Sequence, residues 1–159
     1  MRKKSHKSKP DLMFLMETRL PKDRGKMVWD KCGFVNCWEL PRDGMSGGLL
    51  LVWRDSQNLQ LVFESKHLVH TDMVDNRGNP LSITFVYGHP QLTKKEEVWG
   101  KLRALKLIAH PRWLCIGDFN QILSNKDKFT FGDRSIPGAE RLQQLISDLQ
   151  LCELVAQGQ

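Results

Sequence analysis

The tetrapeptide Gly117-Asp118-Phe119-Asn120 directly follows an apolar run, Trp113-Leu114-Cys115-Ile116. It sets a carboxylate and a carboxamide at the exit of a short strand, where glycine permits a sharp turn and the aromatic can anchor it from beneath. Asp118 and Asn120 are two residues apart, so in an extended segment their side chains point the same way. A carboxylate so placed can orient or deprotonate a water, and an amide beside it can hold a phosphate oxygen. A plain turn, with Asp and Asn bonding nearby backbone, uses the same residue types. Glu17 ends a second apolar run, Asp11-Leu12-Met13-Phe14-Leu15-Met16. A carboxylate there must meet solvent, a donor or a cation. Mg²⁺, which takes few protein carboxylates and keeps several waters, is one such cation. Tyr87-Gly88-His89-Pro90 closes a third run. Its phenol suits a hydrogen bond to a phosphate oxygen and its imidazole suits proton transfer or phosphate contact, although both also suit an ordinary strand end.

The elements that must position these residues are strands in runs with helices between. Residues 11–16 and 33–40 read as strands, and Pro41-Arg42-Asp43-Gly44 turns the second back. Ser46-Gly47-Gly48 leads into the strand Leu49-Leu50-Leu51-Val52-Trp53. Strands at about 59–64 and 67–74 precede the turn Asn76-Arg77-Gly78-Asn79. Leu81, Ile83, Phe85 and Tyr87 then alternate with Ser82, Thr84 and Val86, which gives a strand whose two faces differ. The spacing of Thr93 and Glu96 predicts a capping box opening a helix. Val98, Leu102, Leu105 and Ala109 continue that helix as a stripe, and Pro111 closes it. After the strand at 113–116, a second helix near 138–150 presents Leu142, Leu145, Ile146 and Leu149. This order predicts an α/β or α+β sandwich of layers.

Composition narrows the class without choosing a chemistry. A chain of 159 residues is one domain's worth, and 40% hydrophobic with 26% charged residues is ordinary for a globular protein. No apolar run approaches the roughly 18 residues of a membrane span, and the start has no secretory cleavage pattern. The net charge of +6 is concentrated in a tail: five of the 24 bases precede Pro10, and the remaining 19 meet 18 acids. Such a tail can hold phosphates, act as a nuclear address or be a solvated end. Cys32, Cys37, Cys115 and Cys152 form no C-x-x-C pair and have no histidine at zinc-finger spacing. Reduced thiols are expected, with Cys115 as a small buried hydrophobe.

Taken together, Pro10-Asp11 to Glu17-Thr18-Arg19-Leu20, Ser46-Gly47-Gly48-Leu49 to Trp53, Val86-Tyr87-Gly88-His89-Pro90 and Ile116-Gly117-Asp118-Phe119-Asn120-Gln121-Ile122-Leu123 form a series. In order and spacing it resembles the endonuclease domain of plant non-LTR (LINE-type) retrotransposons. That domain belongs to the endonuclease/exonuclease/phosphatase superfamily, with apurinic-site repair endonucleases and pancreatic-type deoxyribonucleases. The resemblance implies a sandwich of two packed, mostly antiparallel sheets flanked by helices, an incomplete version of the DNase-I-like four-layer fold. It implies a partial domain over 10–159 behind the tail 1–9, and cleavage of a DNA phosphodiester with Mg²⁺ or Mn²⁺. By this likeness Glu17 matches the metal-ligand glutamate, and Asp118 the aspartate that positions or activates the attacking water. Asn120 matches the amide that holds the phosphate, and Tyr87 the tyrosine that supports it. The family's first-strand asparagine and its terminal Ser-Asp-His have no counterpart here, and His89 does not take their role. Impaired catalysis is the expectation. The alternative is a catalytically dead remnant serving at most as a nucleic-acid-binding or interaction module. A phosphatase acting on phospholipid or inositol phosphates shares the fold but has no positive feature in this sequence.

Overall fold

The computed structural model describes residues 10–45, 47–55, 57–123 and 136–154, so the basic tail 1–9 and Ser46 lie outside the described residues. Two compact units divide between Gln60 and Leu61. In the first, the all-apolar run Leu49-Leu50-Leu51-Val52 becomes the centre of a three-stranded sheet. β1 (Leu12–Met16), α1 (Lys26–Cys32), β2 (Asn36–Leu40) and β3 (Leu49–Trp53) follow in chain order. The sheet order is β1-β3-β2, with both outer strands antiparallel to β3. Residues 49–52 are all buried, which suits a strand covered on both faces. Each such side chain contributes about 1.5–3 kcal/mol relative to an exposed one. Phe34, Leu50 and Val52 form the core of this unit, with Met13, Leu15, Trp29 and Cys37 packed against it.

α1 has no counterpart in the sequence reading. It has seven residues, too few for a recognisable stripe, and its first turn has no side-chain cap. Tertiary contacts define it instead: Trp29 packs on the core, the Gly25 N–H donates to Glu39 Oε1, and Gly33 ends the helix in the left-handed region.

The second unit's sheet comprises β4 (Gln60–Glu64), which starts at the boundary residue, β5 (Leu68–Val74), β6 (Pro80–Tyr87) and β7 (Trp113–Asp118), in the order β4-β5-β6-β7. β5 and β6 form an antiparallel hairpin whose turn is held by Asp75. Its Oδ1 accepts the N–H groups of Arg77 and Asn79, and Arg112 bonds Oδ2. These donors, Arg112 foremost, hold the Asp75 carboxyl well below the usual range. β6 is the strand whose faces were expected to differ, and both faces are buried. Its polar residues are satisfied internally. Ser82 Oγ donates to Asp72 at 2.6 Å, while Thr84 Oγ1 meets His70 Nδ1 at 2.7 Å and accepts Trp113 Nε1–H at 2.8 Å. Burial pushes the His70 imidazole below its ordinary value.

β6 and β7 are parallel and are linked through α2 (Leu92–Leu105), as a parallel pair requires. α3 (Ala139–Leu149) runs beside α2, and Leu142, Leu145 and Leu149 join Val98, Trp99, Leu102 and Leu105 in one core. Arg103 Nε bonds Asp148 at 2.9 Å and Lys106 Nζ donates to Leu149 O at 2.8 Å between the two helices. The two-sheet α/β class, mostly antiparallel, is therefore present. The capping box is not. α2 starts one residue earlier than expected, Gln91 is its N-cap, and Glu96 bonds Arg103 at 2.7 Å. All four cysteines are free, and burial pushes the Cys115 thiol up to about 12.

Candidate active site

The parallel register of β6 and β7 runs from Ser82 beside Trp113 to Tyr87 beside Asp118. Two residues from motifs 31 positions apart in sequence are thereby neighbours at one end of the sheet. The approach continues past the strands, where the Gly88 N–H donates to Asp118 O at 2.6 Å. Glycine is required at both crossing points. A Cβ on Gly117 would lie 2.0 Å from Val86 O, and one on Gly88 would lie 2.2 Å from Phe119 O. Gly117 also has φ of 140°, which disfavours any side chain. Phe119 packs against the hydrophobic core beneath, as its place in the tetrapeptide suggested.

Asp118 is exposed and Asn120 half-buried. The two do not lie on one extended segment, because Asn120 is left-handed with φ of 52°. Asp118 Oδ1 accepts the Asn120 backbone N–H at 2.7 Å, so the plain-turn hydrogen bond is made. That bond uses one carboxylate oxygen, and Asp118 also lines a depression. Asn120 Nδ2 donates to Gly88 O at 2.6 Å, which fixes the amide and leaves its second N–H. A depression of about 540 Å³ is lined by Leu92, Lys95, Asp118, Asn120, Gln121 and Pro137, among others. It therefore combines a carboxylate, amides and an ammonium in one place.

Lys95, Gln121 and His67 are additions that the motifs did not identify. Lys95 is 5% exposed and donates to Asn120 O at 2.5 Å and Gln121 Oε1 at 2.8 Å. A signal was available: Lys95, Val98, Trp99 and Leu102 have i, i+3, i+4, i+7 spacing, so a lysine stands in the apolar stripe of α2. His67, before β5, has Nδ1 2.9 Å from Tyr87 O, and its ring lies 6.2 Å from the Tyr87 ring and 5.2 Å from that of His89. A carbonyl only accepts, so His67 carries its proton on Nδ1. His89 Nδ1 accepts the Gln91 N–H at 3.0 Å, which places its own proton on Nε2. Burial, and then the neighbouring charges of His67 and Lys94, push the His89 imidazole below its ordinary value.

Glu17 belongs to the first unit and is exposed at the end of β1, with φ of 52°. Next to it Thr18 N–H and Arg19 N–H donate to Gly48 O and Gly47 O at 3.1 and 2.9 Å. The Glu17 and Gly47-Gly48 motifs thus meet at one end of their sheet. Among the described residues no three His, Cys, Asp or Glu side chains converge as a metal cluster. Glu17 and Asp118 are exposed carboxylates, each in its own unit. They fit Mg²⁺ or Mn²⁺, which take one or two carboxylates and keep waters, and do not fit a structural zinc centre. No helix among the described residues is long and apolar enough to cross a membrane.

No family model and no curated protein matches the sequence. Solved structures do. The chain is similar to the 3′ phosphatase NExo from Neisseria, solved bound to product DNA hairpin, with a TM-score of 0.62 at 16% identity over 88% of this chain and 61% of that one. It is also similar to the endonuclease domain of TRAS1, a telomere-specific non-LTR retrotransposon, with a TM-score of 0.55 at 12% identity over 72% of this chain and 52% of that one. ANGEL2, a 2′,3′-cyclic phosphatase, gives 0.51 at 14% identity, covering 94% of this chain and 49% of that one. The fold is that of these nucleases and phosphatases, the DNase-I-like fold expected from the sequence. The chain spans about three fifths of the length of NExo and about half that of the other two.

Proposed function

We propose that the chain is a divalent-metal-dependent phosphodiesterase domain acting on DNA, of the plant non-LTR retrotransposon endonuclease type. The observation that carries this reading is the pairing of Tyr87 with Asp118 at the ends of β6 and β7, where Asp118 and Asn120 line one depression. In this reading Asp118 Oδ2 orients a water and takes its proton. The water oxygen forms a bond to phosphorus while the opposite P–O bond breaks, and the leaving oxygen takes a proton from solvent. The second N–H of Asn120 holds a non-bridging phosphate oxygen, and the Tyr87 phenol donates to another. In the first unit, Glu17 matches the glutamate by which the family holds Mg²⁺ or Mn²⁺, an ion that in phosphodiester chemistry supplies Lewis-acid polarisation and counter-charge. The likeness to the TRAS1 endonuclease domain supports the retrotransposon ancestry.

The test is nicking of supercoiled plasmid by the purified chain with Mg²⁺ or Mn²⁺, against the same reaction in EDTA. Conversion to open circle only with metal is expected, at a weak rate. Equal nicking with and without EDTA would refute the reading. DNA retention without nicking would leave a nucleic-acid-binding module. The five bases before Pro10 make a separate prediction. Deleting residues 2–9 should flatten the plot of log affinity for DNA against log salt, by about 0.9 for each phosphate that the tail neutralises. An unchanged slope would mean that the tail does not touch DNA.

A further inference from the structure

A lysine buried in the core-facing stripe of a helix needs a reason. An ammonium leaves water at a cost of several kcal/mol, and an apolar residue of similar volume generally serves packing as well or better. Lys95 lies beside Val98, Trp99 and Leu102 on the inner face of α2, yet it is spent on two oxygens of one turn, Asn120 O and Gln121 Oε1. Gln121 in turn donates through Nε2 to Pro137 O at 3.1 Å, just ahead of α3. Asn120 is left-handed at φ of 52°, a conformation that a non-glycine residue keeps only when its surroundings impose it. Three contacts impose it here. They are the ammonium on its carbonyl, Asp118 Oδ1 on its N–H, and Gly88 O on its amide. Burial pushes the Lys95 ammonium below the ordinary lysine value, and the nearby Asp118 carboxylate opposes that.

We propose that Lys95 is a positioning residue, which clamps the Asn120 carbonyl so that the Asn120 amide and the Asp118 carboxylate face the same depression. It acts through Asn120 and Gln121, while Gly88 holds the Asn120 side chain. The inference rests on the phosphodiesterase reading of this site for its consequence, but its geometry can be read without turnover.

The experiment compares the full chain with Lys95→Met and Lys95→Arg by three measurements: melting temperature, plasmid nicking with Mn²⁺, and the ¹⁵N-edited NMR signals of the Asn120 side-chain amide. Lys95→Met should keep or raise the melting temperature, since an apolar side chain replaces a buried charge. It should lower nicking about 10- to 100-fold, the size expected when a group is displaced by an ångström or so. The two Asn120 amide protons should lose their separation and exchange faster with solvent. Lys95→Arg, which keeps donors in the same place, should recover part of both signals. A fall in melting temperature that tracks the fall in nicking, with the Asn120 signals unmoved, would overturn the inference and leave Lys95 a structural residue. If the parent chain does not nick DNA, the function reading fails while the Asn120 resonances still decide the positioning role. If Lys95→Met does not fold, the Asn120 signals of Lys95→Gln, one bond shorter and uncharged, decide it: a shift without unfolding supports the clamp, and no shift refutes it.

Discussion

Asp118→Asn is expected to lower metal-dependent nicking about 10²- to 10⁴-fold, the contribution of one well-placed acid–base group. The substitution separates chemistry from geometry. Asparagine keeps an oxygen at the Oδ1 position, so it can still accept the Asn120 N–H now bonded at 2.7 Å. The turn, its left-handed Asn120 and the Gly88 contact therefore survive. What changes is the second oxygen, which becomes an NH₂ group that cannot take a proton from water. Asp118 is exposed, so the melting temperature should move little, with stability within about 0.5 kcal/mol of the parent. Initial rates of open-circle formation, measured beside thermal melts, check both halves. Nicking that stays within a factor of two of the parent would remove Asp118 from the chemistry and, with it, the reading of the site.

Much of the fold was legible because hydrophobic pattern dictates it directly. Leu49 to Val52 read as a strand, which the structure covers on both faces, and Leu142, Leu145 and Leu149 read as one face of a helix. Where tertiary contacts override local preference, the sequence misleads. Thr93 and Glu96 have capping-box spacing, but Glu96 is drawn instead to the Arg103 guanidinium, which also binds Asp148 from the neighbouring helix. That bridge depends on α3, more than 40 residues away in sequence, and no local rule can anticipate it. α1 is too short for periodicity and is set by Trp29 and Glu39 through contacts outside the helix.

The candidate site was legible in its residue types more than in its shape. Tyr87 pairs with Asp118 across β6 and β7, and Asp118 bonds Asn120. The alternation argument for Asp118 and Asn120 assumed an extended segment, and Asn120 is left-handed because the turn closes onto β6 and α2. The plain turn and the proposed catalytic arrangement thus use the same residues. One Asp118 oxygen accepts the turn's N–H while the residue also lines the depression. Lys95 was missed because a stripe is normally read for its apolar members, and a charged residue within it passes as noise. A buried lysine in such a stripe is better taken as a pointer to the oxygens it must meet.

The pairing that brings Tyr87 to Asp118 depends on a backbone approach that only glycine allows, and this yields the largest stability effect expected in the chain. Gly117→Ala would place a Cβ 2.0 Å from Val86 O and 2.9 Å from its carbonyl carbon, both backbone atoms of the central strand β6, which cannot swing aside. It would also force alanine to φ of 140°. The strained backbone costs about 1–3 kcal/mol, and overpacking adds a similar amount, about 1–3 kcal/mol. Urea unfolding of the variant against the parent measures the total. Gly100→Ala supplies the control. Gly100 lies within α2 with open space where the alanine methyl would stand, so the substitution there should stabilise by about 0.4–1 kcal/mol through helix preference. The same substitution should therefore have opposite signs at two glycines of one unit. If Gly117→Ala proved as stable as the parent, β7 could not lie against β6 in this register, and the juxtaposition of Tyr87 with Asp118 would fall with it.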